Sequence, residues 1–247
     1  MALPSESQPA GLSSDAGQRV NGILFEAATA GQKNTWNSDN SDRVLYGAAV
    51  SNYNATFATA LANCDTTADK LTAANLSLLK RVALSSSPAI RPFKTEDGYE
   101  YYVCFAGLGP FYDLKSNLIS THTTALQNSG KQNPIFQDGD LIWDGVIVRQ
   151  VPEITGFVND IWTQFKTAGA SATTVVEPVF LCGQQSMAFC WGQMAKPTQR
   201  QEDDYGFVTG VGVEMAYGVA KMFKKHPNTG TPLVQWGTAT GFFATGT

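Results

Sequence analysis

Apolar and polar positions alternate most regularly over residues 207–223, FVTGVGVEMAYGVAKMF. The odd positions include Phe207, Val211, Val213, Met215, Tyr217, Val219 and Phe223, and the even ones Gly210, Gly212, Ala216, Gly218 and Ala220. A period of two predicts a strand, with one bulky face and one smooth one. Its length is well beyond the usual ~5–6 residues, so it is either a long ribbon or is bent at a glycine. A Gly/Ala face lets another layer come close to the backbone, which suits a sheet shared between elements or subunits.

A second pattern organises residues 88–128. Residues 90–93 lead into Thr95-Glu96-Asp97-Gly98, where Asp-Gly signals a hairpin turn because Gly adopts positive φ without steric cost. Residues 99–106, YEYYVCFA, are apolar on both faces, Tyr101, Val103 and Phe105 on one and Tyr102, Cys104 and Ala106 on the other, predicting a strand covered on both sides. Gly107-Leu108-Gly109-Pro110 breaks it. Phe111, Leu114, Leu118, Thr121 and Ala125 then form one helical stripe that ends at Asn128-Ser129-Gly130.

Around these patterns the rest can be placed. Residues 71–84 predict a helix with Thr72 as N-cap and Leu76, Leu79 and Val82 or Ala83 as its apolar stripe, stopped by Ser85-Ser86-Ser87-Pro88. Residues 1–40 are weakly patterned and read as an extended arm, with 33–42 as loop. Residues 43–49 form a short apolar element, and 51–65 are ambiguous. Residues 131–140 read as loop and 141–151 as a strand pair or a bulged strand about Asp144-Gly145. Residues 155–171 connect, anchored by Phe157, Ile161, Trp162 and Phe165. Residues 175–182 predict a strand that Pro178 places at an edge or bulge. Residues 184–194 predict a helix on the face Met187, Trp191, Met194, and 233–236 with 241–244 a final strand pair.

Composition narrows the function. Only 15% of the 247 residues are charged, against about 25% in typical domains. Charge is depleted where surfaces are covered by neighbours, although a globular domain of unusual composition accounts for it equally well. The net charge of −4, with no basic cluster beyond Lys221, Lys224 and Lys225, argues against nucleic-acid recognition. Cys64, Cys104, Cys182 and Cys190 are widely spaced without a C-x-x-C, which indicates neither zinc nor a disulfide framework. Cys104 and Cys182 read as buried thiols, in keeping with a reducing compartment. The N-terminus lacks the pattern of a signal peptide, and no apolar run approaches the ~18 residues of a membrane span.

Catalytic candidates are few. His122 sits at the edge of the 111–128 stripe and His226 precedes Pro227 in a turn; no spacing supplies either with a partner, so the structural reading of His122 is preferred. Gly210-Val211-Gly212 opens like a dinucleotide fingerprint, but Met215 stands where the third glycine belongs, and the segment is strand. Glu202-Asp203-Asp204 reads as a solvated loop rather than a metal site, and Asp138 and Asp140 lack the rest of a calcium loop. Tyr99, Tyr101, Tyr102 and Phe105 have no basic neighbours and read as packing rather than base stacking. No catalytic, cofactor-binding or metal residue is therefore assigned, and no cofactor.

Taken in order, the 71–84 helix, IRPFKTEDGYEYYVCFAGLGPFYDLKSN (90–117), NPIFQDGDLIWDGVIVRQVPEI (133–154), FLCGQQSMAFCWGQ (180–193) and DYGFVTGVGVEMAYGVAKMF (204–223) resemble the major capsid proteins of tailed bacteriophages, in a family related to those of certain podophages. The resemblance covers residues 43–244. It implies an α+β chain with the Hong Kong 97 capsid fold, which has an axial domain and a peripheral domain with long β-strands. Residues 1–42 would be an N-terminal arm, 43–70 a peripheral segment, 71–194 the axial domain and 195–247 the peripheral return carrying the long strand. In that family a long stretch bearing the arm, an extended loop and a spine helix precedes the counterpart of RVLYGAA; here about 40 residues do, with no long amphipathic helix among them.

The implied function is a non-enzymatic shell subunit. It would assemble with many copies of itself in hexamers and pentamers, in the virion after assembly in the host cytoplasm. The shell would enclose DNA without sequence-specific binding and without a membrane, with scaffolding, portal or decoration proteins as further partners. Two alternatives stand beside it: a minor capsid, decoration or portal-associated protein, and a hydrolase using Asp113, Asp138, Asp140 or Glu153.

Overall fold

The computed structural model describes residues 2–4, 22–24, 28–129, 136–137, 140–155, 168–201, 209–225 and 233–245. The elements in chain order are β1 (Ala2–Pro4), β2 (Gly22–Leu24), α1 (Ala30–Asp39), β3 (Val44–Tyr46), α2 (Phe57–Ala62), α3 (Ala73–Ser85), β4 (Phe93–Lys94), β5 (Glu100–Ala106) and α4 (Leu108–Ser129). There follow β6 (Phe136–Gln137), β7 (Asp140–Trp143), β8 (Val146–Gln150), β9 (Val175–Cys182), β10 (Met187–Gln201), β11 (Thr209–Lys221), β12 (Phe223–Lys225), β13 (Leu233–Gln235) and β14 (Thr238–Thr245). The class is α+β. A mixed sheet in the order β3-β14-β9-β5-β8-β7-β6, with β4 added to β5, forms the body. β3 on β14 and β5 on β8 are its parallel pairs.

Alternation along β3 and β14 divides two cores. In β3, Leu45 joins one core while Val44 and Tyr46 join the other; in β14, Ala239 and Phe243 oppose Phe242 and Ala244. The first core lies under α3 and α4, where Leu76, Leu79, Ala83, Phe111, Leu114 and Leu118 meet Tyr102, Cys104, Ala106, Val148, Val179 and Leu181. Fully burying one such leucine is worth about 1.5–3 kcal/mol. Among the described residues, the second core lies at the β3-β14-β9 end and joins Trp36 of α1 with Phe57 and Leu61 of α2. The Trp36 ring stands edge-on to Phe57 at 6.1 Å and to Phe242 at 6.4 Å.

Local signals placed several elements well. Thr72 caps α3, its hydroxyl accepting from the Asn75 N–H at 3.2 Å, and Leu76, Leu79, Val82 and Ala83 are buried. Asp144 (φ 49°) and Gly145 (φ 71°) make the two-residue turn between β7 and β8, both left-handed as a type I′ turn requires. Gly98 turns β4 into β5.

Other expectations need correction. Residues 33–42, expected as loop, lie mostly in α1. The helix is started by a Thr29–Gln32 capping box and held by buried Trp36 and Asn37 despite its polar sequence. α4 begins at Leu108 rather than Phe111, because Pro110 falls in the first turn, where no N–H is needed. β5 is covered unequally on its two faces: Tyr102, Cys104 and Ala106 are buried, whereas Tyr101, Val103 and Phe105 are half-buried. β9 is interior, but the β5 ladder ends at Val179, so Pro178 meets only β14, where the missing N–H is tolerated. The two C-terminal strands do not pair with each other. β13 pairs with β12, while β14, buried along its whole length, takes an interior place in the main sheet. Residues 136–137, expected as loop, form a short edge strand. The connecting segment expected at 155–171 lies largely outside the described residues.

Candidate assembly surface

β10 and β11 leave the body as a two-stranded antiparallel ribbon that belongs to no other sheet. β11 reproduces the predicted alternation. The predicted helix at 184–194 is β10 instead. Met187, Phe189 and Trp191 alternate as well as Met187, Trp191 and Met194 step along a helix, and β11 offers a ladder from Met187↔Lys221 to Gln201↔Thr209 that settles the choice. The alternation was legible in the sequence; the partner was not. Register shifts between Trp191, Gln193 and Lys196 mark bulges, which increase local twist.

Cross-strand pairing sorts the two faces. Phe189↔Val219, Trp191↔Tyr217 and Pro197↔Val213 share the bulky face. There the Phe189 ring stacks on Tyr217 at 5.8 Å and meets Trp191 edge-on at 4.9 Å. Ala188↔Ala220, Cys190↔Gly218, Gln193↔Ala216, Lys196↔Glu214 and Thr198↔Gly212 share the smooth face. Met187, Phe189, Trp191, Met194, Val211, Val213, Met215, Tyr217 and Val219 are each more than half exposed, up to 76% at Val211.

Backbone hydrogen bonds tie the root of the ribbon to the body. The Met222 N–H donates to the Ser186 carbonyl at 3.1 Å, the Gly183 N–H to Gly237 at 2.9 Å and the Gln184 N–H to Arg91 at 2.8 Å. A Cβ on Gly237 would collide with the Gln184 carbonyl oxygen, so the two segments can touch only through glycine. Lys221 ends β11 beside Cys182. Burial pushes the lysine down to about 8, only partly offset by the cysteine's charge, and pushes the Cys182 thiol up against the pull of Lys221.

The remaining candidates lie on separate elements or outside the described residues. Asp113 is half-buried in α4, Asp140 opens β7, and Glu153 is exposed in a 3₁₀ turn, Pro152–Thr155. His122 lies in the stretch of α4 whose side chains are not described. Asp138, Glu202, Asp203, Asp204 and His226 lie outside the described residues. Among the described residues, no group of three or more His, Cys, Asp and Glu could hold a metal ion, and no helix is long and apolar enough to cross a membrane. All four cysteines are free. Cys64 and Cys104 are buried, Cys182 is half-buried and Cys190 is exposed on the smooth face. Burial, with Asp69 and Asp65 nearby, pushes the Cys64 thiol up to about 12, far from a reactive thiolate.

Comparison with known proteins agrees on one kind of molecule. A family model described as phage capsid protein matches residues 16–239. The solved capsid asymmetric unit of cyanophage Pam1 covers 92% of this chain at 35% identity with a TM-score of 0.69, and this chain spans 60% of that one. The capsid of Ralstonia phage GP4 covers 98% of this chain, and 58% of its own chain is matched, at 15% identity and a TM-score of 0.54, a likeness of fold. No curated protein matches the sequence.

Proposed function

This chain belongs to the phage capsid protein family, and from that premise we propose that it is a major capsid protein, a structural subunit that assembles with many copies of itself into the head enclosing phage DNA. The observation that carries this reading is the ribbon. A two-stranded ribbon is marginal in water by itself, and one with an open apolar face needs a covering layer. A shell supplies such layers through heterologous contacts around its rings. The low charge content acts in the same direction, because charges are depleted at interface cores. Net negative charge limits adhesion to packaged DNA.

Within this reading the fold is of the Hong Kong 97 type. Residues 71–194 form the axial region, 43–70 and 195–247 the peripheral region and 1–42 the arm. The border crosses one continuous sheet, since β3 and β14 pair into the strands of 71–194, so these regions are parts of one folding unit. Hexamers and pentamers assembled in the host cytoplasm are the intermediates, and scaffolding, portal or decoration proteins the further partners. Electron microscopy of the expressed chain, with copy counting in purified particles, tests the proposal. Ring-shaped or closed assemblies and hundreds of copies per particle are expected. A few copies per particle would assign the chain to a minor, decoration or portal-associated role, and absence from particles would overturn the reading.

A further inference from the structure

We propose that the root of the β10–β11 ribbon is an oxidation site, where peroxide joins the Cys182 sulfur to the Lys221 amine in a covalent S–N bond that fastens β11 to the main sheet. The bond lies within one chain, and its formation is independent of the shell reading.

Placement is the first argument. Cys182 ends β9 and Lys221 ends β11, so one residue belongs to the body and the other to the ribbon. The backbone laces the two ends together. Cys182 stands opposite Thr238 in the main sheet, and Lys221 stands opposite Met187 in the ribbon. The next residue, Met222, donates its N–H to the Ser186 carbonyl and accepts from the Trp236 N–H, each at 3.1 Å. Within this knot the Ser186 and Thr238 hydroxyls hydrogen-bond the Cys182 thiol, and Lys221 is the charge that acts on it. Cys182 is in turn the titratable group that acts on Lys221.

Chemistry is the second argument. Among the described residues no carboxylate pairs with Lys221. Its half-buried ammonium has the Phe223 ring for company, 6.0 Å from the centroid. A lysine so placed gives up its proton readily and supplies a free amine near neutral pH. Burial keeps the Cys182 thiol protonated, so the sulfur needs a base to become reactive, and the Lys221 amine is that base. The amine takes the thiol proton and the thiolate attacks one peroxide oxygen. The S–O bond forms, the O–O bond breaks, and the departing hydroxide leaves as water with the proton held by Lys221. The sulfur is now a sulfenic acid, oxidised at the expense of the peroxide. The amine lone pair then attacks sulfur. The S–N bond forms, the S–O bond breaks, and the hydroxyl leaves as water with a proton from the nitrogen. One thiol, one amine and one peroxide thus give one sulfenamide and two waters.

The test treats the full chain, purified reduced, with hydrogen peroxide at about pH 8, and reads intact mass and peptide maps. The expected product is about 2 Da lighter, joins the Cys182 and Lys221 peptides, and reverts with dithiothreitol. In the joined chain, amide exchange at Lys221 and Met222 should slow. Cys182→Ser and Lys221→Gln should each abolish the joined peptide. Cys190, exposed and opposite Gly218, is the reference thiol for exposure to oxidant. A wild-type Cys182 that goes only to sulfenic or sulfinic acid, stays reduced while Cys190 is oxidised, or joins another cysteine overturns the inference. So does a joined peptide that persists in Lys221→Gln. Joining is read on the wild type, so the outcome stands even where a variant fails to fold.

Discussion

Both carboxylate oxygens of Asp69 are engaged by the backbone around it. One accepts from the Ala48 N–H at 2.6 Å and the Asn52 side-chain amide at 3.2 Å, the other from the Asp65 N–H at 3.0 Å. The Asp69 carbonyl accepts from the Ala244 N–H at 3.0 Å, so this buried residue ties the turn after β3 to β14. Asp69→Ala leaves those half-buried donors unpaired and should cost about 1–3 kcal/mol, read as a fall in denaturant midpoint at unchanged slope. Arg43 is fully buried, its guanidinium donating to the carbonyls of Gln235 and Ser87 and to Asp42. Partial burial works to raise the Asp42 carboxyl. The Arg43 and Ser87 hydrogen bonds outweigh it and hold the group below its ordinary value. A depressed carboxylate stabilises the fold above its unfolded pKa, and that contribution disappears as pH falls through the folded value. The melting temperature of the wild type should therefore fall more steeply below about pH 4 than that of Asp42→Asn, by under about 1 kcal/mol because the side chain is 39% exposed. The Arg43–Gln235 contact could not be read from sequence spacing, since 192 positions separate the two and only folding brings them together.

At the scale of elements, local chemistry decided where a residue type forces one conformation. The Asp144-Gly145 turn, the Thr72 cap and the Gly98 turn needed no long-range information. The 184–194 stretch failed because Met187, Phe189, Trp191 and Met194 satisfy both periods, and only β11 breaks the tie. α1 failed in the opposite sense: its composition reads as loop, and Trp36 inserted between Phe57 and Phe242 makes it a helix. The root of the ribbon gives the test at this scale. Gly237→Ala forces the Gln184 backbone away and should lower stability by about 1–3 kcal/mol. It should also raise amide exchange in both ribbon strands, whereas Gly218→Ala, with open space around it, should do little to either.

In the whole molecule, two cores share one sheet and the ribbon shares in neither. Amide exchange of the dissociated chain should grade accordingly, slowest in β5, β9 and β14 and fastest in β10 and β11; uniform protection would mean that the ribbon is covered within one chain. By itself, the sequence determined the α+β class, the low charge content, a two-faced strand predicted over 207–223 and the ordered blocks by which the capsid family was recognised. These depend on residue identity and on periods of two or 3.6, which the chain carries wherever it folds. Tertiary structure alone decided that β14 lies between β3 and β9, that β10 is a strand, that α1 is a helix, and that the bulky face points to solvent instead of a core. Each of those is a choice between partners. Pairing energy depends on which backbone arrives alongside, and a period records only that some surface must be covered.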